Sequence, residues 1–392
     1  MSVDGLLPCQ LDAYARETVT RVLECERDDE GFAVQVTDSV LYPGGGGQPE
    51  DSGLVGQAII QAHLPSEQPG YRYRVDRAVP LGETTVRLDW GRRFDHMQQH
   101  TAQHILSAVA LSRFGWTTLA FHLNPERCDL VLDGRLGPEA LKTLEDAANA
   151  IVRQARPVKS RIIEREAMEA EGVRCRLLPA GHTGALRVVD IDGVDLNTCG
   201  GTHVGNTAEL QMIRIVATEY QKGQTRVHYL AGGRVLEDHR QAVSRARQIS
   251  EMLSCGPAGQ VDGVKRALER VWEAERAAKS LRREVAEGLG VGLVPDEDGL
   301  ISLHRADADM GFLNTVGSTI QRAHPDAIAF LTAESGGTAG PFLILGPDER
   351  VSKLGPVVAE ILEGRGGGRG GRFQGKATRI DRRDDAAKVL RD

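Results

Sequence analysis

Two short motifs, far apart in the chain, each carry two side chains of the kind that bind metal ions. His100 and His104 lie in a segment without Gly or Pro, so a helix would place both imidazoles on one face. The segment Cys199-Gly-Gly-Thr-His203 adds a thiolate and a third imidazole from a turn. Three nitrogens and one sulfur suit a tetrahedral zinc site. A fold that forms this site must bring the helix and the turn together, which restricts the architecture more than any other feature.

Either motif has another interpretation when it is taken alone. Two surface histidines and an unrelated buried cysteine would give the same pattern, and His96 shares the helix face, so His96 and His100 form an alternative pair. We favour His100 and His104 because they lie deeper in the predicted helix, directly before its apolar stretch. Thr101 occupies the position at which an H-E-x-x-H zinc protease has its glutamate, so that class is excluded.

A run of four glycines, Gly44 to Gly47, lies in the segment LYPGGGGQPEDSG. Successive glycines can present backbone N–H groups to an anion or a sugar, and Gln48 and Asp51 add polar side chains nearby. A flexible hairpin is the other interpretation. No Walker-type lysine follows the run, so the segment is not a P-loop.

The charge of the chain is acidic overall and basic at its C-terminal end. There are 48 Lys and Arg residues against 55 Asp and Glu residues, a net charge of −7, which argues against broad, nonspecific coating of nucleic acid. From residue 364 onward, nine Lys and Arg residues face four Asp residues, a local surplus of five positive charges. A local basic site therefore remains compatible with the acidic total.

The sequence has no feature of a membrane or secreted protein. No segment approaches the roughly 18 consecutive apolar residues of a membrane span, and the N-terminus lacks the pattern of a secretory signal. The six cysteines form no C-x-x-C pair and no framework spacing, which is typical of a reducing compartment. We therefore expect a cytoplasmic protein that does not associate with membranes.

The pattern of elements predicts an α+β protein with several domains. Residues 1–90 have alternating and β-branched runs between Gly and Pro, which predicts a small β-barrel or an open sheet, and we favour the barrel. Residues 96–113 predict a helix, and residues 233–290 predict a charged helical hairpin or short coiled coil. From about residue 295, the pattern predicts buried strands that alternate with helices. One helix is predicted at KLGPVVAEIL, and we expect Pro356 to lie near its first turn.

Three motifs together resemble one family. LYPGGGGQPEDSG, RFDHMQQHTAQHIL, and VDLNTCGGTHV followed by TAELQMIRI are similar to the editing domain of alanyl-tRNA synthetases and of the freestanding AlaX-type editing proteins. KLGPVVAEILEGRGGGRGGRFQGKAT resembles the DHHA1-type C-terminal domain of the same synthetases. The resemblance implies four domains: a glycine-rich β domain (1–90), a two-layer α/β zinc-binding editing core (91–232), a helical linker (233–290), and a DHHA1-like α/β domain with a basic glycine-rich tail (291–392).

The resemblance also implies an activity and its site. The family hydrolyses the ester bond of misacylated tRNA for alanine, chiefly the seryl form and in some members the glycyl form. Its zinc ligands match His100, His104, Cys199 and His203, which implies one Zn²⁺ per chain. The substrate-binding positions match Gly44, Gly45, Gly46, Gly47, Gln48, Thr101 and Gln103. The zinc could activate water, anchor the substrate or be structural, and no protein side chain stands out as the general base.

The resemblance leaves other interpretations of the function open. A synthetase core has little room ahead of the glycine-rich motif, so we expect editing in trans without aminoacylation. No DHH motif is present, which argues against the phosphoesterases that also carry DHHA1 tails. A noncatalytic tRNA-binding module and another zinc-dependent ester hydrolase are the alternatives. On the tail, Arg365, Arg369, Arg372 and Lys376 are predicted to contact tRNA phosphates, with Phe373 available for stacking; a disordered linker is the alternative. The helical or C-terminal region could pair two chains into a homodimer.

Overall fold

The protein consists of two compact units, Met1–Ala246 and Arg247–Asp392. The structure is a computed structural model that describes residues 6–175, 185–335 and 337–391. Both units combine helices with β-sheets, so the predicted α+β class is confirmed. Within the described ranges, no helix is long and apolar enough to cross a membrane.

Six antiparallel strands form a closed barrel near the N-terminus, which confirms the barrel prediction. The short helix α1 (Pro8–Leu11) precedes them, and the strands are β1 (Glu17–Asp28), β2 (Gly31–Val36), β3 (Gly53–Val55), β4 (Ala58–Leu64), β5 (Tyr71–Val75) and β6 (Gly82–Leu88). Their order is β1-β2-β5-β4-β3-β6, and β6 pairs with β1 to close the barrel. Val34, Val75 and Val86 are fully buried inside it, because alternate side chains of each strand face inward.

Helix α2 (Trp90–Phe114) carries the histidine pair and begins earlier than the predicted helix over 96–113. Asp89 caps its N-terminus by accepting a hydrogen bond from the Arg92 N–H, and Gly115 ends it in the left-handed conformation. Every residue of α2 over 96–110 is buried. The buried Arg93 guanidinium pairs with Asp51, which ties the helix to the chain just after the glycine run.

Two further sheets and one helix follow α2 in the described part of the first unit. The elements are β7 (Thr118–His122), β8 (Cys128–Leu132), α3 (Pro138–Arg153), β9 (Val158–Ile163), β10 (Leu186–Ile191), β11 (Asp195–Thr198), β12 (Ile213–Gln221) and β13 (Gln224–Ala231). One sheet has the order β12-β13-β8-β7 and the other the order β11-β10-β9. The apolar side of α2 packs into the same core as strands of both sheets, so the end of β11 lies beside α2.

Two long helices follow, in the segment for which helices were predicted. They are α4 (Gly233–Leu253) and α5 (Gln260–Gly292), joined through a 3-10 turn at Pro257–Gly259. No residue of α4 is buried, and α5 buries only Gly263, Ala286 and Gly290. The charged character read from the sequence therefore corresponds to exposed helix faces.

The second unit is built on a five-stranded sheet with the order β14-β15-β16-β18-β17. Its elements after α5 are β14 (Leu300–Arg305), α6 (Met310–Ala323), β15 (Ile328–Ala333), β16 (Gly340–Leu345), α7 (Asp348–Ile361), β17 (Arg365–Gly368), β18 (Arg372–Ala377) and α8 (Arg383–Arg391). β14 and β15 are parallel, and the other pairs are antiparallel. Helices cover the apolar strands β15 and β16, which are buried along their whole length.

Two expectations for the C-terminal segment are wrong, for Pro356 and for Phe373, and the alternative of a disordered linker is excluded. Pro356 lies in the interior of α7, where the buried side chains of Val351 and Val358 hold the helix despite the missing N–H. The glycine-rich run is not a disordered linker, because its backbone pairs with β18 and forms the edge strand β17. Phe373 is not available for stacking on bases, because its ring is buried against Phe342, with ring centroids 6.1 Å apart.

Candidate metal centre

The middle of helix α2 presents two buried imidazoles side by side. His100 and His104 are 1% and 3% exposed, and their ring centroids are 5.3 Å apart. Residues four apart in an α-helix lie on the same face, which explains why the two rings point into one space. The helix therefore supplies two of the predicted ligands from a rigid, buried element.

The turn after β11 brings the other two side chains to the same place. The Cys199 Sγ lies 3.4 Å from the His100 Nε2 and 3.3 Å from the His203 Nε2. A Cβ on Gly201 would lie 2.3 Å from the His100 Cε1, so only glycine allows the turn to approach the helix this closely. The four candidate ligand atoms all lie within 4.8 Å of one another.

Each histidine of the cluster is held at its Nδ1 by a different side chain. His100 contacts the Gln48 Oε1 at 2.9 Å, and His104 contacts the Asp195 Oδ2 at 3.0 Å. His203 contacts the Thr101 Oγ1 at 3.1 Å. Since the amide and carboxylate oxygens only accept, they fix the Nδ1–H tautomer and leave the Nε2 lone pairs for a metal ion.

The donor set and its spacing fit a tetrahedral ion. Zn²⁺ binds imidazole nitrogen at about 2.0–2.1 Å and thiolate sulfur at about 2.3 Å, which places neighbouring ligand atoms about 3.3–3.6 Å apart in a tetrahedron. The two sulfur–nitrogen distances of 3.3 and 3.4 Å match that spacing. The four side chains His100, His104, Cys199 and His203 can therefore hold one metal ion.

The charges of the cluster favour the metal-binding forms of two side chains. Burial alone would raise the pKa of the Cys199 thiol, but the neighbouring His100 and His203 lower it well below its usual value. Burial, and after it the electrostatic interaction with the neighbouring His100 ring, lowers the pKa of His203 to about 3. For His104, contacts with Asp195 and Cys199 outweigh burial and raise the pKa to about 9. Without a metal ion, a proton on His104 provides the positive charge that balances the Cys199 thiolate. A bound metal ion would provide that positive charge instead.

His96 lies outside this cluster. Its side chain is 4% exposed, and its Nδ1 has no hydrogen-bond partner among the described residues. Burial, with the charge of Arg92, lowers its pKa to about 4. The structure thus brings together His100 and His104, and not the alternative pair of His96 with His100.

The glycine run forms a tight hairpin beside the cluster. Gly45 and Gln48 exchange two backbone hydrogen bonds of 3.0 Å, and Gly46 and Gly47 between them have φ angles of 57° and 90°. Such angles favour glycine at both positions of a two-residue turn. A Cβ on Gly47 would lie 2.5 Å from the ring of Phe121, so the hairpin also packs closely on β7.

A cavity of about 710 Å³ opens beside the cluster. Among the predicted residues, its wall includes His100, His104, Cys199, Gly46 and Gln103. Thr101 and Gln48 do not line it: both are buried, and Gln48 accepts the Thr202 N–H at 3.0 Å besides contacting His100. Gln48 and Thr101 therefore orient ligands, whereas Gln103 faces the space available to a small molecule.

Sequence reasoning missed three charged residues of the site. Asp195 orients His104, and Arg174 and Arg187 line the cavity. Arg187 donates to the carbonyl oxygens of Cys199 and Gly201 at 2.7 and 2.9 Å, and burial lowers its pKa. Asp195 could have been suspected as an acid within a strand just before the cysteine, whereas no local pattern distinguishes either arginine from the other arginines of the chain.

Comparisons with known proteins match one segment of the chain to a family model and nearly the whole chain to two relatives. Residues 186–228, which include Cys199 and His203, match the family model of the threonyl and alanyl tRNA synthetase second additional domain. The alanyl-tRNA editing protein Aarsd1 of Rattus norvegicus is 37% identical over 98% of this chain and 97% of its own length. Aarsd1-A of Xenopus laevis is 36% identical over 97% of this chain and 96% of its own. This chain belongs to the alanyl-tRNA editing protein family.

More distant similarities cover part of the chain or part of the relative. The alanine–tRNA ligase of Methanococcus aeolicus is 34% identical over 56% of this chain and 25% of the ligase. A solved structure, the C-Ala domain from Aquifex aeolicus alanyl-tRNA synthetase, covers 24% of this chain at 19% identity with a TM-score of 0.22, which is too low to support an argument about the fold.

In this member of the editing-protein family, the basic residues predicted for the tail lie on and around the hairpin of β17 and β18. Arg365, Arg369 and Lys376 are exposed. Arg372 is half-buried and donates to the Asn314 Oδ1 at 2.6 Å. Arg365 and Lys376 face each other directly across the two strands. The structure thus presents these charges from an ordered edge of the second unit.

Proposed function

We propose that this protein hydrolyses the ester bond of misacylated tRNA for alanine, with the seryl form and the glycyl form as substrates. It would act in trans and would not aminoacylate tRNA. The observation that carries the proposal is the cavity beside the four-residue cluster in a chain that matches alanyl-tRNA editing proteins over nearly its full length. The activity would be that of a carboxylic ester hydrolase.

One Zn²⁺ per chain is the proposed cofactor, held by His100, His104, Cys199 and His203. When bound, such an ion can polarise a water molecule or hold the α-amino group of the substrate. The residues of this chain fix the ligand geometry: Gln48, Asp195 and Thr101 each hold one imidazole at its Nδ1. An aminoacyl ester is already activated, so a positioned water and a stabilised oxyanion are the remaining requirements.

A short chain of polar side chains on the cavity wall suits recognition of a serine hydroxyl. Gln103 Nε2 donates to the Ser107 Oγ at 2.8 Å, and Thr118 Oγ1 donates to the same oxygen at 2.7 Å. Because that oxygen already accepts two hydrogen bonds, the Ser107 hydroxyl has its own hydrogen to donate to a substrate. Alanyl and glycyl esters both lack this hydroxyl, so the polar chain accounts for preferring the seryl form to the alanyl form and does not account for hydrolysis of the glycyl form.

The remaining parts of the chain would serve binding of the tRNA. The hairpin of Gly44 to Gly47 would lie near the aminoacylated terminal adenosine, because Gly46 lines the cavity. Arg365, Arg369, Arg372 and Lys376 would contact phosphates. Arg365 and Lys376 lie directly opposite each other on neighbouring strands, where two positive charges repel each other. A polyanion such as tRNA would offset this repulsion when it binds there.

The organisation of the whole chain is proposed on the same basis. The four domains would be the glycine-rich β domain, the editing core, the helical linker and a DHHA1-like domain, with boundaries near residues 90, 232 and 290. The exposed faces of α4 and α5 or the C-terminal region would join two chains. A cytoplasmic location is supported by the six free cysteines.

The test is a deacylation assay with seryl-, glycyl- and alanyl-tRNA for alanine in parallel. We expect the metal-loaded protein to release serine and glycine and to spare alanyl-tRNA. Cys199→Ala should abolish release, and His239→Ala, which removes an exposed histidine of α4, should leave it unchanged. Binding of tRNA without hydrolysis of any of the three would overturn the proposal in favour of a noncatalytic module. Faster hydrolysis of free amino-acid esters than of tRNA substrates would indicate another ester hydrolase.

A further inference from the structure

A short segment ahead of the barrel lies against the turn that carries two of the candidate metal ligands. This segment, residues 7–14 with α1, is the N-terminal strap. Gln10 Nε2 donates to the carbonyl oxygen of Gly200 at 2.8 Å, and Tyr14 OH accepts the N–H of Gly205 at 2.7 Å. One contact lies directly after the cysteine ligand, and the other lies two residues after the histidine ligand. The strap therefore holds the turn at both of its ends.

Both strap side chains are fixed by contacts of their own. The Gln10 Oε1 accepts the N–H of Leu7 at 2.9 Å, which leaves the Nε2 to donate to the turn. The Tyr14 hydroxyl donates to the Glu209 carboxylate, with oxygen–oxygen distances of 2.7 and 2.8 Å. Its ring packs on Trp90, with ring centroids 5.6 Å apart. The two polar groups are thus preorganised for the turn, so little side-chain entropy is lost when they hold it.

A buried arginine connects the strap to the helix that carries the other two candidate ligands. Arg93 of α2 is fully buried, and its Nη1 donates to the Ala13 carbonyl oxygen at 2.9 Å. Its Nε donates to Asp51 and its Nη2 to the Val40 carbonyl oxygen, so three contacts fix the guanidinium. The helix and the turn each supply one pair of ligands, and the strap is hydrogen-bonded to both. It therefore restrains the distance between the two pairs.

The turn depends on such restraint because of its glycines. Gly200 and Gly201 are adjacent, and glycine loses more backbone freedom on ordering than any other residue. Arg187 holds the carbonyl oxygens of Cys199 and Gly201, and Gln10 holds the carbonyl oxygen of Gly200 between them. Without the strap contact, a metal ion would have to order the middle of the turn as it binds, which costs affinity.

We propose that the N-terminal strap positions the metal centre, and that Gln10 and Tyr14 raise the metal affinity by holding the cysteine–histidine turn beside α2. Neither residue belongs to the four-residue cluster or to the described lining of the cavity, so both are positioning residues. The inference rests on the proposed zinc site and does not depend on which aminoacyl ester is hydrolysed.

The test measures binding of Zn²⁺ and of Co²⁺, a spectroscopic substitute for it, by competition with a chromophoric chelator. We expect Gln10→Ala to weaken binding about 2- to 10-fold, as loss of one partly exposed hydrogen bond would give. Tyr14→Phe keeps the ring and leaves the Gly205 N–H without its acceptor, so we expect a loss of about 10-fold. The visible bands of bound Co²⁺ report the ligand geometry, and they should change in the double variant.

Gln61→Ala and Tyr220→Phe, at exposed positions of the same unit, are the matched controls and should keep the wild-type affinity and spectrum. Urea unfolding of each metal-free variant is measured in parallel. A purely structural role would lower that stability and leave the affinity and the spectrum of the folded fraction unchanged, which would overturn the inference. Unchanged affinity in both strap variants would also overturn it.

Two further outcomes separate the strap from the proposed function. A wild-type protein that binds neither ion would overturn the inference together with the proposed cofactor. Deacylation of seryl-tRNA by the wild-type protein is measured on the same samples. Weaker metal binding in the strap variants, with no hydrolysis by the metal-loaded wild-type protein, would keep the inference and remove the proposed function.

Discussion

Asp195 offers the sharpest test of how this chain builds its metal centre. Its two carboxylate oxygens serve different partners, with the Oδ2 3.0 Å from the His104 Nδ1 and the Oδ1 2.6 Å from the Arg174 Nε. The substitution Asp195→Asn keeps the shape of the side chain and removes the charge. The amide has one oxygen left to accept with, so it can serve only one of the two partners.

The expected loss of metal affinity follows from these contacts. Removing the group that orients a metal-binding histidine typically weakens binding about 10- to 100-fold, or about 1.4–2.7 kcal/mol. We expect the upper half of that range, because the side chain of Asp195 is almost wholly buried and water cannot replace it. The unfolding free energy should fall by about 1–3 kcal/mol. This is less than the loss expected when one partner of a fully buried ion pair is removed, because the Arg174 side chain is 26% exposed and water can solvate it.

The assay is a competition titration for zinc against a chromophoric chelator, with urea unfolding of the metal-free protein in parallel. Asp192→Asn, at an exposed position of the preceding turn, is the matched control and should change neither quantity. A purely structural role would lower the stability of the metal-free protein and leave the zinc affinity of the folded fraction intact. Unchanged zinc affinity in Asp195→Asn would therefore refute the role of this carboxylate in orienting His104.

Three further predictions concern the other parts of the site. His104→Ala should lose bound zinc by elemental analysis while His96→Ala keeps it; the reverse result would transfer the ligand role to His96. Gln103→Ala should lower kcat/KM for seryl-tRNA about tenfold and change glycyl-tRNA much less, because only serine offers a hydroxyl to the polar chain on the cavity wall. Replacing Arg365 and Lys376 by Gln should raise KM for tRNA more than it lowers kcat, with a weaker salt dependence of binding; equal loss of both would indicate a structural role.

The fold was predictable from the sequence where a pattern is local and its packing is simple. Alternating β-branched residues identified the barrel, and the apolar stretch after His104 identified α2. The glycine-rich edge strand β17 was missed, because glycine has little tendency to form strands on its own. That strand exists through backbone pairing with β18, which is itself anchored by the buried Phe373.

The candidate metal ligands could be predicted from local sequence patterns, whereas the groups that orient them could not. Each pair of candidate ligands is close in sequence, so its spacing can be read directly, whereas Gln48 and Asp195 reach their histidines only when distant segments fold together. Gln48 also shows that the glycine run and the metal centre are one structure. It closes the hairpin of Gly45 to Gln48 with its backbone and holds His100 with its side chain. A change in the hairpin is therefore expected to alter the orientation of the candidate ligand His100, even though no glycine of the run belongs to the four-residue cluster.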